Sequence, residues 1–523
     1  MLLNNQPYLV QDFLEQSAAR LPDKVALICD GKRLTYQEID RMANRMANAL
    51  RAGGVQRGDR VVIFLPNSIP VVIGIFAALK AGGVFVVVNH TTKQDKLAYI
   101  LNNCRATAIW MDGRRPELAV ELRRLAPSLK LFILTGMVES LDEADRRPDN
   151  SLATFLDFDQ ALHQFPDARP ERSNIDLDLA CLIYTSGSTG EPKGVMSDHS
   201  NVIFAASSII SYIQNNEDDI VMDVLPLSFD YGLYQLLMVF KFGGTLVLER
   251  SFTYPAAILK RMEAERVTGF PGVPTVFVLL LQLDLTPYDL SSVRYLTNTA
   301  AALPPSHIEQ LRRKFPWATL YSMYGLTETK RTLYLPPEEL DHRPGSVGIA
   351  IPGTEVWLED EHGHRLGPGE VGELVVRGRH VMRGYWENPQ ATAERYRPGP
   401  IPGERLCYTG DLFRMDEAGF YYFVSRKDDV IKSRGEKVAP KEVETALYAI
   451  PGVREAAVVG VADPVLGEAI KAFLVMDGSQ LTEAQVLAFC RAHLEDFMVP
   501  KMVEFRDSLP KTSSGKIKKT DLK

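Results

Sequence analysis

The sequence predicts an α/β protein. A large N-terminal domain of stacked α/β subdomains ends in a β-barrel-like subdomain and is followed by a small α+β C-terminal domain. Three observations carry this expectation. Amphipathic helical stretches alternate with short apolar, β-branched runs in the first part of the chain and again from Asp219 to Pro336, the rhythm of a mostly parallel sheet with helices on its faces. Residues 343–424 change character, with strand-like runs set between Gly and Pro turns. After Asp428 helical and strand patterns pack into a short α+β unit.

The elements follow in order. Residues 9–20 and 35–52 are apolar at helical spacing, and 60–65 and 84–88 are apolar runs typical of buried strands. Residues 69–81 form the helix between them, stopped by Gly82-Gly83. The run 179–184 is a further buried strand. Strands are expected at 354–359 and 372–377, then a helix at 440–450, strands at 455–461 and 469–476, and a helix at 483–494. The expected division is a core at 1–425 with its β-rich part at about 343–424, a hinge at 426–428, and a small domain at 429–523.

Bulk properties narrow the function. A chain of 523 residues is too long for one core. A net charge of −7 argues against a nucleic-acid binder, and no apolar run reaches the roughly 18 residues that span a bilayer. The start, Met-Leu-Leu-Asn-Asn-Gln, lacks the marks of a signal peptide. Five scattered cysteines without metal-like spacing suit reduced thiols in a cytoplasm.

The chemistry concentrates at residues 183–196, Ile-Tyr-Thr-Ser-Gly-Ser-Thr-Gly-Glu-Pro-Lys-Gly-Val-Met. Glycine lets backbone N–H groups curl around an anion, hydroxyls add neutral donors, and Lys193 adds a point charge. This composition suits a polyphosphate. It is not a Walker A loop, since no Gly-Lys-[Ser/Thr] occurs in it. Further segments follow in the chain: Met323-Tyr-Gly-Leu-Thr-Glu-Thr329, Gly372-Glu-Leu-Val-Val-Arg-Gly378, Tyr408-Thr-Gly-Asp411, Ser425-Arg-Lys-Asp-Asp-Val-Ile-Lys432, Gly435 and Pro510-Lys-Thr-Ser-Ser-Gly-Lys516.

Taken in this order, these motifs resemble the adenylate-forming superfamily of acyl-CoA synthetases, luciferases and peptide-synthetase adenylation domains, over nearly the whole chain. The resemblance implies an AMP-forming ligase that uses ATP and Mg2+ and rotates its small domain between two half-reactions. It implies phosphate contacts from Thr185, Ser186, Gly187, Ser188, Thr189, Gly190 and Lys193, with Thr327 donating beside Glu328, which holds Mg2+. Tyr324 would stack on adenine, while Asp411 and Arg426 would bind the ribose. Lys516 would bridge the substrate carboxylate and the α-phosphate. Asp428 falls at the hinge, and Gly435 on a loop lining a thiol channel.

The acyl pocket segment is Leu225-Pro-Leu-Ser-Phe-Asp-Tyr-Gly-Leu-Tyr234. Phe229-Asp230 resembles the Phe-Asp pair with which amino-acid-adenylating domains bind a substrate ammonium; the other reading of Asp230 is a helix N-cap. Lys330-Arg331 is a cationic pair suited to a second carboxylate; the other reading is that one or both point to solvent or neutralise Glu328. Thr297, Thr299 and Met323 complete the wall. Together these residues are similar to stand-alone enzymes that adenylate β-amino acids of the aspartate or 3-methylaspartate type for macrolactam polyketides. That likeness implies a small amino-acid substrate and a separate acyl carrier protein. The competing readings are an acyl-CoA synthetase for a fatty or aromatic acid, with CoA as the thiol, and a non-catalytic nucleotide-binding regulator.

Overall fold

Local chemistry sets the helix ends. Thr35 accepts from the Glu38 N–H at 3.2 Å while the Glu38 carboxylate accepts from the Thr35 N–H at 2.8 Å, a capping box that opens helix Tyr36–Ala52. Helix Ile69–Ala81 ends at Gly82, whose φ of 92° is the left-handed conformation the sequence pattern called for. The first helix is Asp12–Arg20, shorter than expected. The Asp12 carboxylate accepts from the N–H groups of Tyr8 and Leu9 at 3.1 and 3.0 Å, so residues 8–11 form a turn.

The computed structural model describes residues 7–136, 154–186, 191–301, 303–433, 436–463, 467–478, 481–512 and 515–522. They form two compact units. The first comprises Met1–Pro271, Thr327–Lys330 and Gly378–Arg405; the second comprises Gly272–Leu326, Arg331–Arg377 and Leu406–Lys523.

In the first unit a seven-stranded sheet runs in the order Thr154–Asp157, Leu131–Thr135, Ala106–Asp112, Arg60–Phe64, Val84–Val87, Leu179–Ser186, Pro192–Asp198. Every pair is parallel except the last hairpin. Strand Arg60–Phe64 lies between the two strands that follow it in sequence, so the winding reverses there. Such a reversal opens a crevice at the carboxyl ends of parallel strands. Val86, Ile109, Phe132 and Leu182 fill one face of the sheet. Strands Val25–Cys29, Thr245–Leu248 and Ile220–Asp223 make a second parallel set, edged by Lys32–Thr35.

The second unit contains the parallel pair Tyr295–Asn298 and Thr319–Tyr324. Its β-rich part is antiparallel: Glu355–Glu359, Val371–Arg377, Arg405–Met415 and Tyr421–Arg426 in ladder order. Strands and helices between Ile431 and Phe505 make up an α+β part. The long hairpin Val453–Asp463 and Gly467–Met476 pairs in parallel with Met502–Phe505. Helices Pro440–Tyr448 and Glu483–His493 cover it through Val443, Leu447, Val486 and Cys490. Among the described residues no helix is long and apolar enough to cross a membrane. All five cysteines are free and buried.

Candidate active site

The hairpin Leu179–Ser186 and Pro192–Asp198 pairs Thr185 with Lys193 and Ser186 with Pro192. Gly187, Ser188, Thr189, Gly190 and the Ser186 side chain lie outside the described residues. Residues 383–386 run along the hairpin's outer strand. Met196 N–H donates to the Gly384 carbonyl at 2.9 Å, Arg383 N–H to the Met196 carbonyl at 3.0 Å, and Trp386 N–H to the Gly194 carbonyl at 2.7 Å. This pairing sets the Tyr385 ring 5.6 Å from the Lys193 ammonium.

Tyr385 also donates its phenolic hydrogen to Glu328 Oε1 at 2.6 Å, and Met382 N–H donates to the Glu328 carbonyl at 3.0 Å. Lys193, Tyr385 and Glu328 therefore form one constellation in the first unit. Thr327 beside them accepts at its carbonyl from Lys330 Nζ at 3.0 Å. Lys330 is buried, adopts φ 60°, and holds its ammonium 5.8 Å from the Tyr234 ring. It does not point to solvent.

Phe229, not Asp230, is the N-cap of helix Asp230–Phe242, and no side-chain capping bond forms there. The helix-cap reading of Asp230 is thereby corrected: Asp230 is the first helical residue, 6% exposed, where its charge meets the positive helix end. The charges of Asp230 and Lys330 both reach the buried Cys181 thiol, with opposite effects.

Three residues not anticipated from the sequence hold the Asp230 loop. Asn67 donates to the Leu225 and Glu249 carbonyls at 2.8 and 2.9 Å and accepts from Leu227 N–H at 2.9 Å. Asp223 is fully buried and accepts from Leu225 N–H at 3.0 Å; burial raises its carboxyl well above the usual range. At Gly232 a Cβ would stand 2.6 Å from the Pro226 carbonyl, so only glycine lets the helix close on the loop.

In the second unit Tyr324, Asp411 and Arg426 converge. The Tyr324 phenol donates to Asp411 Oδ2 at 2.6 Å, and Arg426 Nε lies 3.3 Å from Asp411 Oδ1. Burial and the Asp411 charge push the Tyr324 phenol upward, so it stays a donor. Its ring meets Phe413 edge-on at 4.9 Å. Asp428 is exposed in the turn after strand Tyr421–Arg426.

Thr299 and Met323 lie at the carboxyl ends of the parallel pair and are buried. The Thr299 hydroxyl has no hydrogen-bond partner among the described residues, which leaves it for a bound group. Thr297 lies within the first of these strands and is buried too, as is Arg331. Lys516 sits on a loop tied by Thr512 N–H to the Lys516 carbonyl at 2.7 Å and Lys516 N–H to Thr512 Oγ1 at 3.1 Å. A Cβ at Gly515 would be 2.8 Å from Thr275 Oγ1, so this loop lies against the start of helix Pro274–Leu281. Gly435 falls outside the described residues.

A surface cleft of about 440 Å³, also unforeseen, opens at the carboxyl ends of the first-unit strands, where the winding reverses. Phe64, His90, Arg114, Arg115 and Arg250 line it. Asp112 pairs with Arg114 at 2.6 Å and Asp30 with Arg250 at 3.3 Å. The cleft therefore keeps an excess of cations.

Among the described residues no three His, Cys, Asp or Glu side chains converge on a metal position. Glu328 offers one hard carboxylate, steadied through Oε1 by Tyr385. One carboxylate completed by phosphate oxygens and water is how Mg2+ binds beside nucleotides, so the donor set fits that ion.

The chain matches the family model for AMP-binding enzymes over residues 14–386 and that for the AMP-binding enzyme C-terminal domain over 442–516. It is 34% identical to a long-chain-fatty-acid–CoA ligase of Bacillus subtilis, covering 97% of this chain and 93% of that protein. It is 36% identical to a feruloyl-CoA synthase of Amycolatopsis, covering 96% of each. Among solved structures, the anthranilate CoA ligase AuaEII with anthranoyl-AMP superposes at a TM-score of 0.89 with 26% identity, over 100% of this chain and 98% of that one. ATP-bound MatB from Rhodopseudomonas palustris does so at 0.86 with 28% identity, over 98% of each. None of these four relatives is named for an aliphatic amino acid. With both family models matched in order along one chain, the protein belongs to the AMP-binding enzyme family and is an AMP-forming ligase that works with ATP and Mg2+.

Proposed function

We propose that this enzyme activates a fatty or aromatic carboxylic acid as its acyl-adenylate and passes the acyl group to the thiol of CoA. In the first step a carboxylate oxygen attacks the α-phosphorus of ATP and pyrophosphate leaves; in the second the thiol attacks the acyl carbonyl and AMP leaves. Two anions must meet in the first step, so cations and donors have to be fixed beforehand. Lys193 and the loop before it serve the β- and γ-phosphates. Glu328 holds the Mg2+ that neutralises phosphate charge, with Thr327 donating beside it. Asp411 and Arg426 bind the ribose, Tyr324 contacts the adenosine, and Lys516 neutralises charge at the α-phosphate. A swing of residues 429–523 about the 426–428 hinge, with Asp428 as pivot, exchanges Lys516 for the Gly435 loop between steps.

The observation that carries the CoA assignment is the cationic cleft lined by Arg114, Arg115 and Arg250. CoA carries nucleotide phosphates that such a cleft recognises, whereas a carrier protein presents its pantetheine without them. The names of the relatives, ligases of fatty, ferulic and anthranilic acids, support the acid class. The test is steady-state thioester formation with Arg114→Ala and Arg250→Ala. The KM for CoA should rise about tenfold or more, as expected for loss of a charge-assisted contact, while acid-dependent pyrophosphate exchange stays intact. Equal KM values for CoA and pantetheine in the wild type would reject the assignment.

A second reading keeps the same adenylation chemistry with an amino acid, an acidic β-amino acid such as 3-methylaspartate or aspartate, and delivery to a separate acyl carrier protein. Buried Asp230, not occupied as a helix cap, favours it. Asp230 with Phe229 would take the amine, and Lys330 and Arg331 the second carboxylate. Pyrophosphate exchange across fatty, aryl, neutral and acidic amino acids separates the two readings.

A further inference from the structure

We propose that Tyr385 is the positioning residue that ties the Mg2+ carboxylate to the phosphate loop, an inference resting on the reading of Glu328 as the Mg2+ ligand. Three contacts converge on this one side chain. Its hydroxyl donates to Glu328 Oε1 at 2.6 Å. Its ring lies 5.6 Å from the Lys193 ammonium, within cation–π range. Arg395 hydrogen-bonds the same phenol oxygen. A guanidinium only donates, so Arg395 uses a phenol lone pair and leaves the phenolic hydrogen for Glu328. The direction of the Tyr385–Glu328 bond is thus set from behind.

The backbone fixes the ring. Tyr385 N–H donates to Thr392 Oγ1 at 2.9 Å, and Tyr385 bridges Val195, two residues from Lys193. Gly384 has φ 119°, and a Cβ there would stand 2.5 Å from Thr392 Cγ2, so the chain can turn into this position only with glycine. Tyr396 packs edge-on against the ring at 5.8 Å. With the phenol so held, the Glu328 carboxylate is fixed in one orientation, and this is the group that would hold the cation. A hydrogen bond behind a metal ligand commonly supports metal affinity by about 10- to 100-fold.

Because Lys193 and Glu328 share this support, ATP phosphates and Mg2+ are gripped by one preorganised unit. Two substitutions separate its halves. Tyr385→Phe keeps the ring beside Lys193 and deletes the hydroxyl, with its bonds to Glu328 and Arg395. Tyr385→Leu deletes the ring contact with Lys193 as well.

The experiment is a calorimetric titration of ATP into the protein without carboxylic acid, at stepped Mg2+ concentrations and with EDTA, alongside Glu328→Gln. The expected result for Tyr385→Phe is a Mg2+ midpoint raised about tenfold, with ATP affinity at saturating Mg2+ and in EDTA both unchanged. Tyr385→Leu should in addition weaken metal-free ATP about two- to fivefold. Should Tyr385→Leu fail to fold, Arg395→Met gives the second arm, with a smaller shift of the same midpoint. If Glu328→Gln moves the midpoint and Tyr385→Phe does not, the positioning role is overturned. If Glu328→Gln leaves it unmoved, the Mg2+ assignment itself falls, and this inference with it.

Discussion

Asp411 and Arg426 are cross-strand partners in an antiparallel ladder, with Arg426 Nε 3.3 Å from Asp411 Oδ1 and the Tyr324 hydroxyl on the other carboxylate oxygen at 2.6 Å. The carboxylate is thus oriented from both sides before any ligand arrives. Asp411 is 8% exposed, whereas Arg426 is open to solvent. Only the aspartate therefore has a fixed, partly desolvated position, and its contacts should matter more.

Asp411→Ala should accordingly raise the KM for ATP by about 10- to 100-fold, in line with about 1.5–3 kcal/mol for a bond to a charged group. Tyr324→Phe removes one orienting hydrogen bond worth about 1 kcal/mol and should cost about fivefold. Pyrophosphate exchange against ATP concentration measures both. A larger effect from Tyr324→Phe than from Asp411→Ala would contradict a ribose-binding carboxylate.

Lys516→Ala should lower adenylate formation by at least about 100-fold, the usual loss when a preorganised charge-stabilising group is deleted. Thioester formation from a supplied acyl-adenylate should survive. Gly515→Val should mimic this. Its φ of 81° disfavours a side chain, and a Cβ would meet Thr275 Oγ1 at 2.8 Å, so the loop could not seat against helix Pro274–Leu281. Equal losses in both half-reactions would count against a two-position small domain.

Most of the fold was legible because its elements carry strong local signals. The capping box at Thr35 and Glu38, the glycine stop at Gly82 and the apolar runs around Val62 and Val86 each say the same thing at several levels. Glu328, Asp411 and Lys516 drew notice in the sequence because they lie in runs that stand out from their surroundings. Tyr385 was not, since an aromatic between Gly384 and Trp386 reads as core, and its bond to Glu328 joins positions 57 residues apart. Asn67 and Asp223 escaped for the same reason: each acts on backbone groups that only the fold brings near. Of the two readings of Asp230 the helix cap fails, because the helix begins one residue earlier than that reading requires. The cleft at Arg114 and Arg250 depends on strand order, which spacing along the chain does not encode.

Asp230→Asn distinguishes the two substrate readings. With a fatty or aromatic acid no ammonium needs a partner, so activation of such acids should stay within a few-fold of wild type. Any activation of an amino acid should fall by about 100-fold, since loss of a buried charge pair costs about 3 kcal/mol or more. Gly232→Ala should instead depress every substrate alike, because the clash with the Pro226 carbonyl at 2.6 Å displaces the loop itself.

Acid sensitivity should trace to buried histidines. His199 is fully buried, accepts from Val10 N–H at Nδ1 at 3.0 Å, and is pushed down to about 4 by burial, with Asp178 opposing. His380 is likewise held down to about 3 by burial. Both are neutral in the native state, so between about pH 6.5 and 4 the unfolded chain binds more protons than the folded one. Stability is then fully present above the ordinary histidine value and is lost as pH falls toward the folded one. By pH 5 the loss is about 2 kcal/mol per histidine, at about 1.4 kcal/mol per pH unit below 6.5. Asp223 acts the other way, since its raised carboxyl keeps a proton in the native state that the unfolded chain releases. The decisive quantity is therefore the difference between wild type and His199→Asn, in which Asp223 and His380 cancel. Asparagine keeps an acceptor near Val10 but has no proton to gain. Urea midpoints for the variant should lie below wild type at pH 7.5 and close most of that gap by pH 5. Parallel stability curves across this range would show that His199 is not a source of the acid sensitivity.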